Sequence, residues 1–181
     1  MSRRAAASGR DIGLHTGSAV RGTIPDMNIF EALHLSHDTM RALATQILAT
    51  QGDSPDRVRL FRELKHELAA HAAAEERCFY QPLIEFDETI AQARHGMAEH
   101  HEMDGLVDDL NGIEMSSSAW IAHFTKLRDK VFHHLDDEEH AIFQLGGKVL
   151  TEKQKTELAV AYEEEFVKFR LGEMPTSSAE S

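Results

Sequence analysis

Two histidine–glutamate pairs in this chain have the spacing of metal ligands on a helix. His71 precedes Glu75 by four residues, and His134 precedes Glu138 by four. A step of four advances about 40° around an α-helix, so both side chains of a pair point the same way. Each pair continues an apolar stripe that must face a core, where a carboxylate without a partner is expensive to bury. A bound cation would offset that cost.

An internal repeat adds two histidines to these pairs. When the chain is shifted by 63 residues it matches itself without a gap, and His37 falls on His100. The same shift superimposes the two pairs and keeps the apolar positions in register. The predicted metal ligands are therefore six: His37, His71, Glu75, His100, His134 and Glu138. Seven other histidines of the helical region have no histidine counterpart and are interpreted as solvated: His34, His66, His95, His101, His123, His133 and His140. His15, in the N-terminal lead, is interpreted in the same way.

The ligand types favour two ions. Imidazole and carboxylate groups suit iron, manganese or zinc, whereas copper(I) prefers thiolates. Two carboxylates can bridge two ions while two histidines complete each end, and six ligands for two ions leave positions open for a small molecule. A closed structural zinc site would instead use four ligands on one ion. The spacing alone leaves the identity of the metal open.

Helices must position these residues, because helical periodicity starts at Asn28 and persists almost to the end of the chain. Each repeat is a helical hairpin, and two hairpins about a pseudo-twofold axis predict an all-α, antiparallel up-down four-helix bundle with a C-terminal fifth helix. The predicted helices span about 28–50, 55–82, 87–111, 118–145 and 151–171. The predicted organisation is a disordered lead (1–26), the bundle (27–150), the C-terminal helix (151–172) and a flexible tail (173–181).

Composition limits the partners. A chain of 181 residues with 41% hydrophobic and 28% charged residues suits one globular domain. A net charge of -12 argues against nucleic acid and against an anionic membrane surface. The single cysteine, Cys78, excludes an internal disulfide and fits a reducing compartment. No apolar run approaches the ~20 residues of a membrane span. We expect a cytoplasmic monomer or homodimer.

At these residues the chain resembles the hemerythrin-like proteins with the HHE cation-binding motif, over about residues 28–150. The second-helix signature of that family is similar to the run from His71 through Glu75 to Tyr80, and the fourth-helix signature to the run from His134 to Phe143. The resemblance implies a non-heme di-iron centre, oxo- or hydroxo-bridged, with Glu75 and Glu138 as bridging carboxylates. It also makes iron the leading metal.

The chain departs from the oxygen-carrying hemerythrins at two positions. Those proteins have a second histidine on the third helix where this chain has Asp104, and an aspartate five residues after the histidine of the fourth helix. Here Glu138 follows at four. More carboxylate and fewer histidines favour the ferric state, which argues against reversible oxygen carriage. Asp104 and Glu99 are candidates for extra ligands, the alternative for each being a helix-surface carboxylate.

Three classes of function follow from these expectations. The first, which we favour, is a binding protein for oxygen, nitric oxide or peroxide in sensing, scavenging or stress defence. The second is a catalase-like or peroxidase-like di-iron enzyme, for which Tyr80 could supply a proton or an electron if it is not simply a core residue. The third is a helical interaction module that holds a metal only for stability.

Overall fold

The computed structural model describes residues 27–172, which are helical apart from short connections and contain no β-strand. The predicted N-terminal lead and C-terminal tail lie outside these residues. Five helices are present: α1 (Ile29–Leu48), α2 (Pro55–Glu75), α3 (Ile90–Asn111), α4 (Ser118–Asp137) and α5 (Glu152–Arg170). Two of them continue beyond these bounds. α2 runs on through a π-helical turn (Glu76–Tyr80) and a short segment (Gln81–Leu83), and α4 through a π-helical turn (Glu138–Ile142) and Phe143–Val149.

Side-chain caps start most of these helices at the predicted positions. Asn28 accepts hydrogen bonds from the first turn of α1, and its backbone N–H donates one in return to the Glu31 side chain. Ser54 and Ser117 cap α2 and α4. Thr151 forms a capping box with Gln154. Such caps satisfy backbone N–H groups that have no partner inside a helix, which is why they mark helix starts in sequence.

Two predicted boundaries were wrong. α3 begins at Ile90 rather than near residue 87, because buried Thr89 turns its hydroxyl back to the carbonyl of Leu83 and holds the connection. Gly146 and Gly147 do not end the fourth helix, which continues to Val149. Gly146 is buried in this helix, and a Cβ there would meet the Phe30 ring at 3.5 Å, an ordinary van der Waals distance.

One predicted core position was also wrong. The apolar periodicity of α2 predicts that Val58 faces the core, but its side chain is 48% exposed. Arg57 is buried in its place. The Arg57 guanidinium donates to the hydroxyl and carbonyl of Thr50 and to the carbonyl of Met115, and it lies over the ring of Trp120. A buried cation can therefore take a core position here because each of its three nitrogens donates a hydrogen bond, two of them to backbone carbonyls and one to a hydroxyl.

The core consists of two apolar clusters. One cluster includes Leu33, Phe79 and Phe143, and the other includes Met40 and Phe124. Along α1 and α3 the chain passes from the first cluster to the second, and along α2 and α4 from the second to the first. In each of these four helices a predicted ligand histidine stands where the change occurs. The histidines therefore share one level between the two clusters.

Helix packing sets the fifth helix apart. α1 packs against α2, and α3 packs against α4, as expected for two hairpins. α5 packs across α1 and α2, and its buried Ala159 and Tyr162 join the first apolar cluster. Among residues 27–172, no helix is both long enough and apolar enough to cross a membrane.

Candidate metal centre

The structure brings all six predicted ligands together between the two apolar clusters. Each of the six side chains is buried. Their nitrogen and oxygen atoms form two overlapping groups whose members lie within 4.8 Å of one another. One group is His37, His71, Glu75 and Glu138, and the other is Glu75, His100 and His134. Glu75 belongs to both groups, which is the position a bridging carboxylate would occupy.

The Nε2 atoms of the four imidazoles point toward the carboxylates of Glu75 and Glu138, at distances longer than those of charge-assisted hydrogen bonds. Nε2 of His71 and of His100 lies 3.3 Å and 3.4 Å from Glu75 Oε2. Nε2 of His37 and of His134 lies 3.4 Å and 3.5 Å from Glu138 Oε2. Charge-assisted hydrogen bonds between such groups are typically about 2.7–2.9 Å long. The spacing is thus that of ligands arranged around a centre rather than of paired hydrogen-bonding partners.

Two of the outer ring nitrogens follow the internal repeat. His37 Nδ1 lies 2.8 Å from Glu139 Oε1, and His100 Nδ1 lies 2.9 Å from Glu76 Oε1. Glu76 and Glu139 are equivalent under the 63-residue shift, as are the two histidines. Each histidine of one hairpin is therefore held by the residue that follows the ligand glutamate of the other hairpin. Arg41 adds a further hydrogen bond to Glu139.

The outer nitrogens of His71 and His134 have partners that are not equivalent under the repeat. His134 Nδ1 lies 2.9 Å from Glu99 Oε2, and Lys130 donates to the other oxygen of Glu99. His71 Nδ1 instead lies 3.0 Å from the hydroxyl of Tyr162, which comes from α5. Hydrogen bonds of this kind fix the ring orientation and the tautomer of a metal-binding histidine. All four imidazoles are thus held on their outer side with Nε2 directed inward.

The two carboxylates considered as extra ligands lie elsewhere. Glu99 contacts the outer nitrogen of His134 and is not part of either ligand group. Asp104 is exposed, and burial of part of its side chain raises its pKa. It lines a small cavity beside His71 and His100 without joining a ligand group. The structure therefore favours a supporting role for Glu99 and a peripheral one for Asp104.

The electrostatics of the site favour bound positive charge. Burial opposes protonation of His37 and His100, but hydrogen bonds and charges from neighbouring glutamates raise the pKa of His37 to about 9 and that of His100 to about 10. Burial alone would raise the pKa of Glu75, yet His71 and His100 hold it well below its usual value. Burial lowers the pKa of His71. The carboxylate of Glu75 is thus held in its ionised form, which attracts cations.

Unpaired buried atoms show that the site fits a metal. Nε2 of His37, Nε2 of His71, both oxygens of Glu75 and Oε2 of Glu138 are buried without a hydrogen-bond partner. Nε2 of His100 and Nε2 of His134 face each other at 3.0 Å, an arrangement that needs a proton on one of them. Buried polar groups left unpaired are destabilising, whereas the same atoms are suitable ligands for a divalent or trivalent cation.

A π-helical turn accompanies each ligand glutamate. The turns begin at Glu76 and at Glu138, and such turns interrupt α-helices most often at functional sites. They carry Tyr80 and lead into Phe143, whose rings stack on His100 and His37 at centroid distances of 5.6 Å and 5.7 Å. Periodicity gives no signal for these turns, because each is only five residues long and shows no repeating apolar pattern of its own.

Tyr80 reaches the ligand cluster directly. It is buried, and its hydroxyl donates a hydrogen bond to Glu138 Oε1. Burial, followed by the charges of Glu75 and Glu138, raises its pKa well above the usual value and keeps the phenol protonated. Space for the phenol is provided by Gly96, since a Cβ there would overlap the Tyr80 hydroxyl oxygen.

Two cavities border the site. One, of about 10 Å³, has room for a water-sized molecule and is lined by apolar side chains, three of the histidines and Asp104, including Met40, Leu68, His71, His100, Met103, Val131 and His134. The other, of about 240 Å³, opens beside Tyr80, Glu99 and Glu138. Small molecules therefore have space on one side of the cluster and a route to the phenol on the other.

The remaining histidines lie away from the ligand groups, with one exception. Six of the seven are exposed and His123 is partly buried, which agrees with their interpretation as solvated. His34, although exposed, lies 3.2 Å from Glu139 and forms a peripheral group with it and His37. The supporting residues Glu76 and Glu139 could have been recognised from the repeat. Tyr162 could not, because it lies outside the repeat.

Comparison with known proteins agrees with this picture. The family model described as the hemerythrin HHE cation-binding domain matches residues 28–145. Among solved structures, a hemerythrin HHE cation-binding domain-containing protein from Mycobacterium kansasii is similar in fold. It has 23% sequence identity and a TM-score of 0.73, and the match covers 81% of this chain and 89% of that one. No curated protein sequence matches the chain.

Proposed function

We infer that the chain is a non-heme di-iron protein, starting from its family. The family model matches residues 28–145, more than half of the chain, so the chain belongs to the hemerythrin HHE cation-binding domain family. The proposed centre binds or reacts with a small diatomic molecule or oxidant, namely oxygen, nitric oxide or peroxide. The setting that we propose is sensing, scavenging or stress defence. The cytoplasmic location and the monomeric or dimeric state stay predictions from composition.

The ligand assignment is part of the proposal. His37 and His71 would hold one iron, His100 and His134 the other, and Glu75 and Glu138 would bridge them. The observation that carries it is the contrast between the two sides of each imidazole. The outer nitrogens lie 2.8–3.0 Å from their partners, whereas the inner nitrogens stand 3.3–3.5 Å from the carboxylates. Only the inner atoms are left for a metal.

The proposed fold of the domain that holds the centre is an antiparallel up-down four-helix bundle over residues 27–150. Its support is the alternating order in which α1 to α4 pass between the two apolar clusters. Reversal of direction from each helix to the next places one ligand-bearing level at the middle of all four. α5 would then be an addition on one side of this bundle.

Selectivity for small molecules follows from the cavity beside the histidines. Met40, Leu68, Met103 and Val131 give it mainly apolar walls. Its volume of about 10 Å³ has room for a molecule about the size of water and for no organic substrate. When bound, iron supplies the electrons and the open coordination positions at which oxygen, nitric oxide or peroxide is held. The protein supplies the ligands, their orientation and the apolar surroundings.

A second candidate function, decomposition of peroxide, is favoured by Tyr80. Its phenol is buried, protonated and hydrogen-bonded to Glu138, at the end of the larger cavity. A proton donor in that place could assist O–O cleavage as a general acid, which typically contributes about 10²- to 10⁴-fold to a rate. In that case Tyr80→Phe would keep its iron and lose peroxide turnover. Unchanged turnover would exclude this role for the phenol.

The experiment that tests the proposal measures iron per chain by elemental analysis, with absorption spectra before and after peroxide. We expect about two irons per chain and near-ultraviolet bands of an oxo-bridged ferric pair. His101→Ala and His133→Ala are matched controls, since each removes an exposed histidine next to a proposed ligand and should leave the iron content unchanged. Sustained oxygen evolution would favour the enzyme, and a stable spectral change would favour binding. A folded protein without iron after anaerobic reconstitution would overturn the proposal.

A further inference from the structure

α5 contributes to the ligand cluster although it lies outside the segment matched by the family model, which ends at residue 145. Tyr162 of α5 is buried against the equally buried His71, with its hydroxyl 3.0 Å from Nδ1. This contact is a hydrogen bond to the outer face of a proposed ligand. A helix that is not part of the repeated bundle therefore completes the surroundings of one histidine.

The Tyr162 hydroxyl adjoins a run of hydrogen bonds that leads to the end of α5. Ser36 on α1 lines one cavity with Tyr162, and its hydroxyl offsets part of the rise that burial causes in the pKa of the phenol. The Ser36 hydroxyl donates to Glu67 Oε1 at 2.8 Å, and Arg170, near the end of α5, donates to Glu67 Oε2 at 2.8 Å. α5 thus contributes at two points, with a phenol next to His71 and a cation at the far end of the run.

The hydrogen-bonding roles are set by the residues at the two ends. The Ser36 hydroxyl donates its hydrogen to the carboxylate of Glu67. If Nε2 of His71 is committed to a metal, Nδ1 carries the ring hydrogen and donates it to the Tyr162 oxygen. Tyr162 is thus placed to accept from the tautomer of His71 that leaves Nε2 free.

In the second hairpin the equivalent histidine, His134, has an outer partner that does not come from α5. Under the 63-residue shift, Ser36 corresponds to Glu99 and Glu67 corresponds to Lys130. Glu99 accepts directly from His134, and Lys130 holds Glu99 at 2.9 Å. In the first hairpin the α1 position is a serine, and the carboxylate is instead that of Glu67, to which Ser36 donates. Tyr162 takes the place beside His71 that Glu99 has beside His134. Of the four histidines, His71 alone has an uncharged outer partner.

We infer that Tyr162 is a positioning residue for His71, and that α5 thereby makes the two metal positions inequivalent. This inference rests on the proposed di-iron centre. A histidine whose outer N–H faces a carboxylate is a more basic ligand than one whose N–H faces a hydroxyl. The position served by His37 and His71 is accordingly the one with weaker electron donation. It is the position from which iron leaves first and the one most sensitive to changes in α5.

The test compares Tyr162→Phe with Glu99→Gln in the full-length, iron-loaded protein. Tyr162→Phe keeps the buried ring and removes only the hydroxyl, whereas Glu99→Gln weakens the equivalent contact in the other hairpin. Iron release to an excess of chelator is followed by absorption. Loss of such a supporting contact typically costs about 10- to 100-fold in metal affinity. We expect two release phases in the wild type, with the faster one accelerated about 10-fold or more by Tyr162→Phe and the slower one by Glu99→Gln.

A spectroscopic measurement separates positioning from a general loss of packing. In Mössbauer spectra of the iron-loaded protein, Tyr162→Phe should change the signal of one iron and Glu99→Gln that of the other. Ser36→Ala, which leaves the phenol in place, should give a smaller change in the same signal as Tyr162→Phe. The inference is overturned if Tyr162→Phe leaves release and spectra unchanged, or if it accelerates both phases equally with unchanged spectra. A wild-type protein that binds no iron would instead remove the proposed function on which the inference rests.

Discussion

The two hairpins carry the same ligands but surround them differently. His37 and His100 have equivalent arrangements, each with a glutamate on its outer nitrogen and an aromatic ring stacked on one face. His71 and His134 do not, since one faces Tyr162 and the other Glu99. The repeated features therefore belong to the proposed metal ligands, for which a symmetric arrangement suffices. The features that differ are those that can make the two ends of the centre act differently.

The aromatic rings show the same division. Phe143 and Tyr80 occupy equivalent positions, yet only Tyr80 carries a hydroxyl, which it directs to Glu138. Room for that hydroxyl comes from Gly96, whose equivalent in the first hairpin is the buried Leu33. Two substitutions within one repeat thus act together to bring a proton donor to one side of the cluster. Predictions about the two hairpins can test how far their equivalence extends.

The largest expected effect is loss of metal from variants of the bridging carboxylates. Glu75→Ala and Glu138→Ala each remove an oxygen donor that both proposed metal positions share, so either change should abolish iron binding at both. Elemental analysis of protein reconstituted under anaerobic conditions measures this. Should Glu75→Ala keep one iron and Glu138→Ala the other, each carboxylate would serve a single position and the bridging assignment would be wrong.

Removal of iron should have the next largest effect, this time on stability. Without a metal, at least five buried polar atoms of the cluster have no partner. Each such group costs about 1–3 kcal/mol, so the free energy of unfolding should fall by at least about 3 kcal/mol after chelation. Denaturant unfolding of the metal-free and reloaded protein measures the difference. Equal stability of the two forms would mean that the cluster is satisfied without a metal.

Far from the cluster, a third prediction concerns a pair of equivalent positions with unlike residues. Arg57 and Trp120 correspond under the 63-residue shift, and the guanidinium lies over the indole at 5.3 Å. Arg57→Ala would leave the carbonyls of Thr50 and Met115 without their buried donor, which should cost about 2–3 kcal/mol of stability. Iron content should not change. Arg57→Lys is the control, and it should recover little because an ammonium cannot reproduce the planar fork.

Gly96→Ala should disturb the side of the cluster that carries the phenol. The new Cβ would overlap the hydroxyl oxygen of Tyr80 and lie 2.5 Å from its Cζ carbon. Tyr80 is buried and stacked on His100, so it cannot move without losing its contacts with His100 and Glu138. Overpacking of this kind costs about 1–3 kcal/mol, measurable by thermal unfolding. A variant as stable as the wild type would show that the ring can shift freely.

Much of this arrangement is predictable from sequence, and the part that is not has a physical reason. The repeat and the i, i+4 pairs identify all six clustered residues, because the same residue types recur at an interval of 63 residues. The caps at Asn28, Ser54 and Thr151 are equally readable. Arg57 escapes prediction, since its burial depends on carbonyls of distant loops. Tyr162 escapes it because a single tertiary contact leaves no pattern in the chain.

The smallest effect is expected where the second hairpin departs from the first for no structural reason. Gly105 lies inside α3, and a Cβ there would meet nothing within 4 Å. Its equivalent in α1 is Ala42. Gly105→Ala should therefore stabilise the protein by about 0.5–1 kcal/mol, because alanine loses less backbone entropy on folding into a helix.

Thermal unfolding at constant iron content measures that gain, and Gly52→Ala is the matched control. Gly52 also has open space around its Cβ position, but its φ of 59° lies in the left-handed region that alanine resists. Gly52→Ala should be destabilising while Gly105→Ala is stabilising. If Gly105→Ala lowered stability or iron content instead, α3 would need local freedom beside the small cavity, and the difference between the hairpins at this position would be functional.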